Sequence, residues 1–228
     1  MLFIAEGEKA ICELHRAEFR FHSIIGTEEM LSQFSEVECI HEEASIQDLA
    51  KISAFKSPPS IMAICHQNKS GINFEKISNE LTIVLDDIQD PGNLGTIIRL
   101  ASWFGIKNIV CSHHTADCYN PKTIQASMGA IAHIGIHYTE LNDFLLHPAI
   151  QAIECYGTFL EGENIYTTEL NSRAALIVLG NEGQGISPYI EKLVNKKLFI
   201  PSFNNGNRVE SLNVSIAAAI ICSEFKRR

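Results

Sequence analysis

Two periods govern the placement of apolar residues along this chain. From Glu8 to about Phe19 the apolar positions Ala10, Ile11, Leu14 and Ala17 fall on one helical face. Phe21-His22-Ser23-Ile24-Ile25 reads as a strand that stops at Gly26. Thr27 is a plausible N-cap for a helix from Glu28 to Phe34. Glu36-Val37-Glu38-Cys39-Ile40 alternates as a second strand, a helix starts at Ser45, and Ser60 to Cys65 is a buried strand. The stretch from Gln67 to Glu80 is polar with one glycine and reads as a connector. The pattern divides the chain into a small α/β unit at 1–70, a linker at 71–80 and a larger unit at 81–228.

The larger unit alternates the two periods regularly. Strands are expected near 81–86, 107–111, 151–156, 175–179 and 197–200. Helices are expected near 93–104, 121–129, 140–147, 187–194 and 212–225. Strands that alternate with helices imply an α/β fold, a parallel sheet with helices on both faces. No internal repeat or low-complexity tract is visible.

Composition narrows the class. The chain has 228 residues, 46% of them apolar, and no run approaches the roughly 18 apolar residues of a membrane span. Its opening residues lack the basic and apolar character of a signal peptide. Seven scattered cysteines without a CxxC suit reduced, buried thiols, so a cytoplasmic protein is expected. Cys111-Ser112-His113-His114 with Cys118 matches no standard zinc spacing, and no metal is expected. The net charge of −9 argues against a broad basic face. Local clusters at Lys192, Lys196 and Lys197, at Arg208, and at Lys226-Arg227-Arg228 could still meet RNA, or be solvated helix ends.

The chemistry concentrates in three segments, each at the end of an expected strand. The first is Asp90-Pro91-Gly92-Asn93-Leu94-Gly95-Thr96-Ile97-Ile98-Arg99. Asn93 is a suitable N-cap, and Leu94, Ile97, Ile98, Ala101 and Phe104 make one helix face. Arg99 lies off that stripe, either as a functional cation or as a surface arginine paired with Asp86, Asp87 or Asp90. The second segment is Leu179-Gly180-Asn181-Glu182-Gly183-Gln184-Gly185-Ile186, followed by Ser187-Pro188 as a helix start. It is not GxGxxG, no Walker lysine is present, and Glu182 would repel a pyrophosphate. A cationic cofactor suits it better. The third segment is Ile200-Pro201, then Glu210-Ser211-Leu212-Asn213-Val214-Ser215 entering a helix capped by Ser211 or Asn213. Ala217-Ala218-Ala219 permits close packing in a core or against a partner. Loops of this kind converge where open α/β sheets bind nucleotides.

In this order the segments resemble the three motifs of the SpoU (TrmH-like) RNA ribose methyltransferases of the SPOUT superfamily. The resemblance is strong over the larger unit and weak over the first. It implies S-adenosylmethionine as cofactor, a C-terminal trefoil knot and a homodimer with sites across its interface. It implies that Arg99 is catalytic, that Asn93 supports it, and that Glu182, Ser211 and Asn213 match the polar residues of the motifs. Backbone around Gly180, Ile200 and Leu212 is implied to surround the cofactor. The 1–70 unit resembles the RNA-binding module of many such enzymes, here truncated at its N-terminus because the usual basic helical segment does not precede Phe3-Ile4-Ala5-Glu6-Gly7. That module favours ribosomal RNA as substrate, with transfer RNA open. The Pro201–Ser211 loop is about three residues longer than is usual in the family, so Arg208 receives no role. The competing readings are a non-catalytic RNA-binding or ribosome-assembly protein that keeps the fold, and a nucleotide-dependent enzyme using the Gly180 loop.

Overall fold

The computed structural model describes residues 1–68, 71–204 and 211–228. Its first half runs β1 (Leu2–Glu6), α1 (Glu8–Arg16), β2 (Phe21–Gly26), α2 (Glu28–Ser32), β3 (Ile40–Glu43), α3 (Ile46–Ile52), β4 (Ile61–His66) and α4 (Phe74–Ile77). Then come β5 (Leu81–Asp86), α5 (Pro91–Trp103), β6 (Asn108–Cys111), α6 (Pro121–Ser127), a 3-10 turn at Ala130–His133 and β7 (Gly135–Tyr138). The last part comprises α7 (Leu141–Leu145), α8 (Pro148–Gln151), β8 (Glu154–Asn164), β9 (Ala175–Gly180), α9 (Pro188–Glu191), β10 (Lys196–Phe199) and α10 (Val214–Arg227).

The strands form two sheets. The smaller has the order β1-β4-β2-β3, antiparallel except for the β2/β3 pair. The larger has the order β10-β8-β9-β5-β6-β7 and is parallel throughout. Its central strands β5 and β9 are buried at every residue, which explains their uninterrupted apolar runs. Alternate residues face two cores. Ile83, Leu85, Ile177 and Leu179 meet Leu94, Ile98, Ile124, Ile221 and Phe225. Val84, Val110, Leu176 and Val178 meet Ile77, Phe144, Ile150 and Ile190. Helices therefore cover both faces, as the alternation predicts. The first core continues into the smaller sheet through Phe3, Ile11, Leu14 and Ile24, and the Phe3 ring lies 4.6 Å from that of Tyr119.

Several local expectations need correction. The strand expected at 36–40 starts only at Ile40, because Val37 N donates to Phe34 O and Cys39 N to Val37 O, closing turns first. The strand expected at 151–156 begins at Glu154 and runs to Asn164. Its expected start is taken by α8, with Pro148 at the first helical turn. Strand β7 was not foreseen. The expected helix at 187–194 closes after one turn. The polar connector carries α4, whose Ile77 is buried under the parallel sheet.

Candidate functional site

The register of β5 and β9 creates the site. Asp86 pairs with Gly180, so the first two motif loops leave the sheet side by side. Gly180 is required there: an added Cβ would overlap the backbone of Gly185 and Ile186, where the loop closes through an Asn181–Gly185 bridge. Asn181 stitches the loops together. Its Nδ2 donates to Asp87 O at 2.9 Å, and its Oδ1 accepts the amides of Gly183 and Gln184. Buried Asp86 accepts the Ser187 amide at 2.7 Å. Asp87 has a φ of 58° and is held by Ser112, whose Oγ donates to its carboxylate and accepts its amide.

The first loop enters α5 through Asp90, not the expected Asn93. The Asp90 carboxylate accepts the Asn93 amide, with Pro91 at the first helical turn. A hydrogen-bonded ion pair with Lys122 at 3.0 Å, joined by that amide bond, holds the Asp90 carboxyl below its usual range. Freed from capping, the Asn93 side chain turns outward. Its Nδ2 donates to Glu182 Oε1 at 2.8 Å, and its Oδ1 accepts from Asn213 Nδ2 at 3.0 Å. Asn213 caps α10 by accepting the amides of Ser215 and Ile216 and the Ser215 hydroxyl. One chain of hydrogen bonds, Glu182–Asn93–Asn213, thus joins all three motifs.

Arg99 is exposed on α5 and makes no hydrogen bond or ion pair among the described residues. The expected alternative, a pairing with Asp86, Asp87 or Asp90, is not made, because those carboxylates serve backbone amides, Ser112 and Lys122. Several other cations are paired: Lys122 with Asp90, Lys196 with Glu154, Lys197 with Glu191, and Arg227 with Glu224. Gly95 serves packing, since α6 approaches α5 so closely there that a Cβ would stand 2.6 Å from Ala126 Cβ and from Thr123 O.

Ile200 is half-buried against the core, while Ser211 and Leu212 are exposed at the entrance to α10. Arg208 lies outside the described residues. Sequence reasoning missed the structural work of Asp86, Asp87, Asn181 and Ser112. The Asp-Pro dipeptide before α5 was the available signal for the Asp90 cap. A cavity of about 420 Å³ lies elsewhere, between the connector and β7, beside Cys118 and Tyr138. Burial drives the Cys118 thiol up to about 12, so it is neutral there.

The chemistry of this donor set is polar, acidic on the loops, with one unengaged guanidinium on the adjoining helix. Residues 80–223 match the sequence profile of the SpoU rRNA Methylase family. The chain is 32% identical over 171 residues to the Bacillus subtilis 23S rRNA (guanosine(2553)-2′-O)-methyltransferase RlmP, a match covering 75% of this chain and 66% of that relative. It is 37% identical to a TrmH-family structure from Porphyromonas gingivalis, with a TM-score of 0.84 over 99% of this chain and 90% of that one. It is 25% identical to an AdoMet-bound rRNA methyltransferase from Sinorhizobium meliloti, with a TM-score of 0.85 over 99% of this chain and 87% of that one.

Proposed function

The chain belongs to the SpoU rRNA Methylase family, and from that premise we propose that it is an S-adenosylmethionine-dependent RNA 2′-O-ribose methyltransferase, with ribosomal RNA preferred over transfer RNA. The observation that carries this reading is the Glu182–Asn93–Asn213 chain beside an unengaged Arg99. The site residues fit the cofactor. Asp86, Asp87 and Glu182, none of them ion-paired among the described residues, give the loops a negative field, which suits a cationic sulfonium and opposes a pyrophosphate. Gly180, Ile200 and Leu212 would hold it, with Ser211 and Asn213 at its polar end.

When bound, S-adenosylmethionine supplies a methyl group that an oxygen nucleophile can take. The residues of this chain then have two tasks, alignment and charge control. Glu182 fixes the Asn93 amide, and Asn93 fixes Asn213, so the three loops hold one geometry before substrate arrives. A guanidinium stays protonated near neutral pH, so preparing it as a neutral base would be costly. Arg99 therefore acts as a cation. It clamps an RNA phosphate and stabilises the alkoxide as the hydroxyl proton leaves to solvent.

The same reading includes a homodimer. Leu212 and Ile216 at the start of α10 and Trp103 at the end of α5 are 49%, 52% and 84% exposed. These two helices pack on each other and carry Asn213 and Arg99, so a second copy burying the apolar positions sets one site against the other. The knot formed by the last two motifs, the RNA-positioning role of the 1–70 unit and a cytoplasmic location complete the proposal. Seven free cysteines fit that location, and among the described residues no helix is long and apolar enough to cross a membrane.

Calorimetric titration with S-adenosylhomocysteine, with NAD as control, tests the reading. Micromolar binding of the sulfur compound alone is expected. Binding of NAD alone, or of neither compound by the folded protein with its RNA added, sinks it.

A further inference from the structure

We propose that Phe203, backed by Tyr166, is a stacking platform for a nucleobase of the RNA substrate. The proposal rests on the RNA methyltransferase reading and adds how this acidic chain holds its RNA.

Charge alone serves this protein poorly. Residues 1–66 hold five Lys and Arg against eleven Asp and Glu, so the first unit gains little from charge attraction and must position RNA by other contacts. In the larger unit Lys122, Lys196, Lys197 and Arg227 are already paired with carboxylates. Stacking on an aromatic face needs no net charge, and alanine substitution shows it to be worth roughly five- to 150-fold in affinity per base.

The pair has the required form. Phe203 is 84% exposed, two residues beyond Pro201, on the segment that links Ile200 to Ser211 and Asn213. Its ring lies 6.5 Å from that of Tyr166, at an interplanar angle of 28°. Tyr166 is fixed from behind. Its amide donates to Asn164 Oδ1, and its carbonyl accepts from Arg228 Nη2 at 3.0 Å. The Arg228 guanidinium also reaches the carbonyls of Ile165 and Thr168, so the turn is braced against α10. The second ring widens the aromatic face offered to a base, and the braced Tyr166 main chain limits the ordering cost of binding.

The test uses the full chain and a fluorescent single-stranded RNA 12-mer of mixed sequence, read by anisotropy at two salt concentrations. Phe203→Ala should weaken binding five- to fiftyfold while leaving the slope of affinity against salt unchanged. Phe203→Trp should restore it, and S-adenosylhomocysteine affinity and solution mass should match wild type. Wild-type RNA affinity in Phe203→Ala overturns the proposal. So does a loss that comes with monomerisation or lost cofactor affinity, since the ring then serves the dimer or the pocket. Failure of wild type to bind S-adenosylhomocysteine strikes the enzyme reading instead, because the RNA measurement needs no methyl transfer.

Discussion

Gly95 tests whether the glycine of the first motif serves packing or chemistry. Gly95→Ala places a Cβ 2.6 Å from Ala126 Cβ and 2.6 Å from Thr123 O, with Ser127 N at 3.1 Å. Ordinary carbon contacts lie at about 3.5–4.0 Å, so α6 must retreat by about 1 Å. Two effects oppose each other. Alanine gains about 1 kcal/mol over glycine in a helix interior. Overpacking costs about 1–3 kcal/mol, and the upper half applies because a backbone carbonyl cannot rotate away. A net loss of about 1–2 kcal/mol follows. For a chain of this size that lowers Tm by about 2–8 °C. Thermal unfolding followed by circular dichroism reads it directly. Adding Ala126→Gly removes one of the two closest contacts and should recover part of the loss. A Tm equal to or above wild type in Gly95→Ala would refute the packing argument.

Arg99→Ala should abolish methyl transfer and leave S-adenosylhomocysteine affinity within a few-fold; wild-type turnover removes Arg99 from the mechanism. Burial pushes the thiols of Cys65, Cys155 and Cys222 up to about 12, so at pH 8 the native protein should react slowly with a disulfide reagent at these positions and quickly after denaturation. Fast native labelling at them, located by mass spectrometry, contradicts the burial. Asp90 is held low by Lys122, Glu154 by Tyr156 and then Lys196, and Glu224 by Arg227. Their stabilisation is therefore present above the unfolded carboxylate range of about 4 and is lost as pH falls through the lower folded values. Tm should be level near neutrality and fall below about pH 4; a Tm that holds at pH 3 argues against it.

The central strands were legible because Ile83-Val84-Leu85 and Leu176-Ile177-Val178 are buried on both faces, and full burial leaves an unbroken apolar run. The three motifs were legible as residue strings, and the α10 cap was narrowed to Ser211 or Asn213, of which the structure uses Asn213. The connection between the motifs was not legible. The bond from Asn93 to Glu182 spans 89 positions and depends on the β5/β9 register, which no local period encodes. The cap was misplaced because Asp90 and Asn93 are both good caps, and Pro91 decides between them. At 36–40 the alternation imitates a strand, yet turns at Val37 and Cys39 close first and pairing with Ser23 begins at Ile40. Strand β7, at Gly135-Ile136-His137-Tyr138, is too short and too polar to stand out.

The continuous core from Phe3 to Phe225 makes the two sheets thermodynamic dependants. Neither can open alone without exposing Phe3, Ile11 and Leu14 on one side and the surface around Tyr119 and Ile131 on the other. Heat should therefore melt them in one cooperative step, and excision of residues 1–66 should yield an aggregating remainder rather than a free-standing enzyme. A substitution in the first sheet would then be felt as lost activity at a distance, with no contact to the site at all.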